Sequence, residues 1–161
     1  MDSKPGSGDK VDDATGLYTL NGKRVTNPQE TSLDVIRIVV ISSSGALSAA
    51  LSEELSSSRF HVLDIRPGPR VLDAARRERP RIAVVDGIDE RPEAAQLEIA
   101  VLKELCPGVE IIALSHESSE QDASVIEQGV FYYRAAASSD ELVRIIDAAE
   151  RAAISRRTSR R

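Results

Sequence analysis

The chain has 161 residues, 41% of them apolar and 29% charged, which suits one domain with its own hydrophobic core. No apolar run approaches the roughly 20 residues that span a bilayer, "MDSKPGSGDKVDD" lacks the apolar stretch of a secretory signal, and a single cysteine, Cys106, forms no internal disulfide, so a cytoplasmic protein is expected. The net charge of −5 divides into −2 over residues 1–34, −8 over 35–150 and +5 over 151–161, and an acidic body does not suit a surface that grips nucleic acid.

Residues 1–34 are rich in Gly, Ser, Asp, Thr and Asn and poor in large apolar residues, the composition of a largely disordered extension. Within it, "LYTLNGKRVT" (17–26) sets Asn21-Gly22 between two strand-like segments, a hairpin signal. From residue 35 to about 150, Val- and Ile-rich runs of strand length alternate with helical segments. The runs are Val35–Ile41, Phe60–Ile65, Ile82–Val85, Ile111–Leu114 and Val130–Tyr133. Their apolarity is continuous rather than alternating, which suits strands covered on both faces of a parallel sheet.

Five helices are predicted between and after these strands. Leu47, Leu51 and Leu55 mark the inward face of the first; Val71, Leu72 and Ala75 that of the second. The third starts near Pro92, with Leu97, Val101, Leu102 and Leu105 inward. The fourth opens with Ser118 and Gln121 in capping-box spacing and carries Val125 and Ile126. The fifth opens with Ser138 and Glu141 in the same spacing, followed by Leu142, Ile145, Ile146 and Ala149. Five strand–helix units with right-handed crossovers predict a flavodoxin-like α/β sandwich whose five parallel strands are ordered 2-1-3-4-5, with ligands at the C-terminal strand ends. Residues 151–161, "RAAISRRTSRR", read as a basic C-terminal tail, a candidate contact for an acidic partner.

Several residues at those strand ends have simple readings of their own. Ser42–Ser44 suit a helix N-cap or, with Gly45, an anion cradle. Asp86 suits hydrogen bonding to backbone N–H groups of its loop. Cys106 reads as a small buried apolar residue, and His116 and His61 as packed or surface residues without zinc spacing.

The strand ends also carry a resemblance. "PRIAVVD" (80–86) looks like the third strand of a response-regulator receiver domain, which ends in the phosphoacceptor aspartate. "PGVEIIALSHE" (107–117) resembles the fourth strand with its phosphoryl-sensing hydroxyl residue, and "GVFYYRAAAS" (129–138) the fifth, with an aromatic switch residue and then a lysine. The resemblance covers about residues 35–150. It implies Asp86 as phosphoacceptor candidate, Ser115 as the hydroxyl residue, Phe131 as the aromatic switch with Tyr132 or Tyr133 as substitutes, and Arg134 in place of the lysine. Ser42 and Ser43 fall where the family carries the acidic pair that holds magnesium.

Those departures suggest an atypical, stand-alone pseudo-receiver of bacterial two-component type that docks rather than catalyses. Phosphoryl transfer to a carboxylate depends on charge neutralisation, and magnesium prefers carboxylate oxygens to neutral hydroxyls. Asp86 remains, with Asp89 as a weak second metal candidate, and an Asp86–Arg134 pair is expected instead. No cofactor is expected, magnesium entering only if Asp86 accepts phosphate as in a phosphorelay regulator; a small-anion or nucleotide sensor is the third reading. The family's fourth helix, fifth strand and fifth helix meet partners or a second copy, which nominates Tyr132 and Arg144. Arg156, Arg157, Arg160 and Arg161 are candidates in the tail. No DNA-binding output domain is expected.

Overall fold

The computed structural model describes residues 17–20, 23–26, 35–56, 59–117, 122–135 and 138–159. The chain divides into two units, Met1–Asp34 and Val35–Arg161. In the first, β1 (Leu17–Leu20) and β2 (Lys23–Thr26) pair antiparallel with Leu20 opposite Lys23; the Asn21-Gly22 turn between them lies outside the described residues.

The second unit is the flavodoxin-like sandwich. Its strands are β3 (Ile36–Ile41), β4 (Phe60–Ile65), β5 (Ile82–Val85), β6 (Glu110–Ser115) and β7 (Tyr132–Ala135), all parallel in the order β4-β3-β5-β6-β7. The helices are α1 (Ala46–Glu54), α2 (Arg70–Glu78), α3 (Pro92–Leu105), α4 (Asp122–Glu127) and α5 (Ser139–Thr158). Central strands β5 and β6 are buried throughout, whereas edge strand β4 is only partly covered and leaves His61 exposed. Side chains alternate across the sheet. Val39, Ile41, Ala83, Val85, Ile111 and Ala113 face one core with α2, α3 and α4, and Ile38, Val40, Val84 and Ile112 face another with α1 and α5. No helix among the described residues is long and apolar enough to cross a membrane.

The helix ends follow local chemistry. Ser138 caps α5, its Oγ accepting from Glu141 N at 3.3 Å. Pro92 opens α3, where its fixed φ fits and its missing N–H costs nothing. Cys106 is buried and its thiol donates to the Ala75 carbonyl at 3.4 Å. Burial holds that thiol above its usual pKa against the opposing pull of Arg79. The expected capping pair Ser118 and Gln121 lies outside the described residues.

Several expectations are corrected. The last strand begins at Tyr132 rather than Val130, because Gly129 at φ +76° closes the end of α4 and the chain uses Val130 and Phe131 to return to the sheet. Phe131 N then joins Ile111 O at 2.8 Å just before the strand starts. Leu72 and Leu97 were expected inward but are 37% and 66% exposed, and Ile126 is exposed as well. In α2 the alanines Ala74 and Ala75 share the buried face with Val71; in α3 the charged Glu98 takes an inward position with Ala95, Ile99 and Leu102. Residues 151–158 do not form a tail. They continue α5, since Ala152, Ala153 and Ile154 carry its helical pattern on and Ala153 is buried. Arg156 lies 2.9 Å from the buried Glu110 carboxylate and so serves the fold. Arg157 is exposed, and Arg160 and Arg161 lie outside the described residues.

Candidate functional site at the strand ends

The C-terminal ends of β3, β5 and β6 bring Ser42, Asp86 and His116 together. Backbone bonds fix the first two: Asp86 N donates to Ile41 O at 2.9 Å and Ser42 N to Ile65 O at 3.3 Å. Ser42 is buried, and its Oγ donates to Asp86 Oδ2 at 2.9 Å while accepting from Ser44 N at 3.2 Å. The serine run is therefore not a simple helix cap. Gly45 occupies the N-cap of α1 without a side-chain bond, and Ser44 Oγ accepts from Ala46 N at 3.2 Å. The Arg66 guanidinium donates to the Ser43 carbonyl.

His116 covers the other side of Asp86. Its Nε2 lies 3.5 Å from Asp86 Oδ1 and its Nδ1 lies 2.8 Å from Glu90 Oε1. Partial burial works against the imidazolium, but the Asp86, Glu90 and Asp89 carboxylates outweigh it and raise the His116 pKa above its ordinary 6.5. The spacing of His116 from Asp86 gave no signal of this contact, which arises only because β6 lies beside β5. A cleft of about 260 Å³ opens here, lined by Ser42, Ser43, Ser44, Asp86, Gly87, Glu90 and His116.

The loop after β5 is braced from below. Arg91 Nη2 donates to the Asp86 carbonyl at 3.1 Å, and Nη1 donates to Glu98 Oε2 at 2.6 Å. Glu98 Oε1 accepts from Gly68 N at 3.2 Å. This network explains the inward turn of Glu98: a buried carboxylate needs a cation and donors.

Asp89 does not join Asp86. Its two oxygens accept from His116 N at 2.9 Å and Glu117 N at 3.0 Å. Burial, the largest single influence, pushes its pKa up; the N–H groups of His116, Glu117 and Asp89 itself together outweigh it and lower the pKa. Ser115 is buried at the end of β6 and donates to Glu117 O. Asp89 and Ser115 thus shape the turn that carries His116.

Of the remaining candidates, Phe131 packs against the α1–α5 core and Tyr133 against the other. Tyr132 and Arg134 lie in β7, Arg134 opposite Leu114, but their side chains lie outside what the structure describes, so the expected Asp86–Arg134 pair has no counterpart to compare. Arg144 is exposed on α5.

The donor set does not fit a resident magnesium ion. Magnesium takes near-octahedral oxygen ligands with carboxylates among them. The end of β3 offers only serine hydroxyls, Ser42 is committed to Asp86 and Asp89 is turned away. No group of three His, Cys, Asp or Glu suited to a metal occurs among the described residues. The cleft is also a poor anion cradle, since Asp86 and Glu90 both line it.

Comparison with solved structures places this architecture. A signal receiver domain of a putative LuxO repressor protein from Vibrio parahaemolyticus superposes with a TM-score of 0.66 at 12% identity, covering 77% of this chain and 96% of that one. A response regulator from Thermotoga maritima gives 0.63 at 19%, covering 71% and 97%. The fold is that of response-regulator receiver domains. A putative pilus assembly protein (CpaE) from Burkholderia thailandensis also superposes, with a TM-score of 0.57 at 21% identity, covering 71% of this chain and 98% of that one. No protein-family model and no curated protein sequence matches the chain.

Proposed function

We propose that this chain is a receiver-like interaction module that signals by docking and does not take up phosphate by the magnesium route. The observation that carries this reading is the Ser42–Asp86 hydrogen bond. Where the resemblance places metal-binding carboxylates, a neutral hydroxyl caps one acceptor oxygen, and His116 faces the other. Phosphoryl transfer would need charge neutralisation, for which this mouth offers the His116 imidazole and no acidic residue at the end of β3. A fold alone does not set activity, and the fold neighbours include a protein described as a putative pilus assembly protein as well as response regulators.

The docking surface we assign to this module is the face of α4, β7 and α5, with Tyr132 and Arg144 on it. No enzymatic role is assigned to this module: the Ser42 hydroxyl that bonds Asp86 is itself buried.

A second reading, phosphate acceptance at Asp86, draws support from one feature: the Asp86 side chain is 17% exposed and borders the open cleft. Intact mass after incubation with acetyl phosphate and magnesium separates the two, with Asp86→Ala alongside and folding checked by circular dichroism. An unmodified parent supports the docking module. A single phosphoryl adduct on the parent, absent from the variant, overturns it in favour of a phosphoaccepting regulator.

A further inference from the structure

We propose that the groove between α2 and α3 is a self-interface through which two copies of this chain pair about a two-fold axis parallel to the helices. The groove follows from which residues each helix buries. Val71, Ala74 and Ala75 seat α2 on the sheet and leave Leu72 on its flank. The inward turn of Glu98 rotates Leu97 to the outer crest of α3. Pro69, Leu72, Leu97 and Val101 then line a nearly all-apolar groove of about 320 Å³. Its upper end is preformed, because Glu98, held by Arg91, fixes Gly68 N. Preformed apolar grooves lose little freedom on binding.

Charge selects the occupant. Leu72 and Arg76 share one flank of α2 at i and i+4, and Arg79 follows at its left-handed C-cap, so that wall is basic; Glu93, Leu97 and Glu104 follow the crest of α3, so that wall is acidic. These four charged side chains are exposed and have no ion pair among the described residues. A ligand of one sign, such as an anionic lipid surface or a nucleic acid, meets repulsion from one wall. A second copy turned about an axis parallel to the helices lays each α2 on the partner's α3, Arg76 near the level of Glu104 on both sides, and buries Leu72 and Leu97 of both. An axis perpendicular to the helices would set arginine on arginine. This makes the face isologous and self-complementary, and it leaves the α4–β7–α5 face open. The proposal does not rest on the reading of Asp86: a phosphoryl adduct there would leave the following test unchanged.

The test is sedimentation of the full chain over a concentration series at low and high salt. The expected result is a monomer–dimer equilibrium that weakens with salt, with Leu97→Glu shifted to monomer. Two charge-reversal variants sharpen it, Arg76→Glu/Arg79→Glu and Glu93→Arg/Glu104→Arg. Each is expected to be monomeric alone, because its two walls carry one sign. Mixed in equal amounts they are expected to dimerise, because every contact again joins opposite charges. A parent that stays monomeric throughout, a Leu97→Glu variant that still dimerises, or a mixture that stays monomeric overturns the proposal. The substituted positions are exposed and lie on helices, except Arg79 at the left-handed C-cap of α2, and far-ultraviolet circular dichroism checks that each variant is folded.

Discussion

The Ser42 hydroxyl donates to Oδ2 of Asp86 across 2.9 Å, joining the ends of β3 and β5 at a position where two carboxylates would repel. Ser42→Ala removes this charge-assisted bond and leaves a mostly buried oxygen without it. The expected loss is about 1.5–3 kcal/mol of stability, read from urea melts. Ser42→Asp is expected to behave differently. It brings a second negative charge beside Asp86, destabilises the protein in metal-free buffer, and creates a magnesium-dependent rise in the melting midpoint that the parent does not show. A variant whose midpoint ignores magnesium would remove the argument that Ser42 is what excludes the metal.

His116 links Asp86 to Glu90 and should titrate accordingly. Its folded-state pKa is raised above 6.5. Its contribution to stability is therefore fully present below about pH 6.5, the unfolded value, and is lost as pH rises through the folded pKa. The imidazole is 54% exposed, so the stability effect is small and the titration midpoint is the better readout. An NMR titration should show the His116 midpoint falling in Glu90→Gln and in Asp86→Asn. An unchanged midpoint in both variants would refute the assigned contacts.

Arg91 and Glu98 form a nearly buried pair at 2.6 Å. Arg91→Met leaves the Glu98 carboxylate buried without its cation and is expected to cost about 3–5 kcal/mol. Arg91→Met with Glu98→Leu is expected to recover most of that loss, because Arg91 Nε has no partner among the described residues and the pair is already incompletely satisfied. A double-mutant cycle in urea measures this, and additive losses would show that the two residues are not coupled.

Two neighbouring arginines on α5 should behave unlike one another. Arg156 stands against the buried Glu110, whereas Arg157 is exposed with no ion pair among the described residues. Arg156→Ala takes the partly exposed guanidinium away from this buried carboxylate, whose Oε1 has no hydrogen bond among the described residues, and is expected to lower stability by about 1 kcal/mol. Arg157→Ala should leave it within about 0.5 kcal/mol of the parent, as for most surface substitutions. Equal effects in thermal melts would remove the structural role given to Arg156.

The fold was legible because its strands are buried on both faces and so appear as uninterrupted Val and Ile runs, such as Ile82–Val85. Capping chemistry likewise marked the start of α5 at Ser138. Helix faces were less legible. Leu72 and Leu97 look like core residues by hydrophobicity, but the phase of α2 is set by Ala74 and Ala75 and that of α3 by Glu98, whose burial depends on Arg91 seven residues earlier. The arginines of 151–158 suggested a tail because their charge masked the helical pattern of Ala152, Ala153 and Ile154. At the mouth, Asp86 and Ser42 were visible as strand ends in a parallel sheet. Their hydrogen bond, and the approach of His116, depend on turn geometry that residue spacing does not encode.

Arg91 also gives the molecule a fulcrum. One nitrogen grips the carbonyl of Asp86, and another holds the carboxylate that fixes Gly68 at the head of the α2–α3 groove. A shift of the Asp86 peptide must either drag this guanidinium along or break its bond. The top of the sheet and the helical flank are thus joined through one side chain.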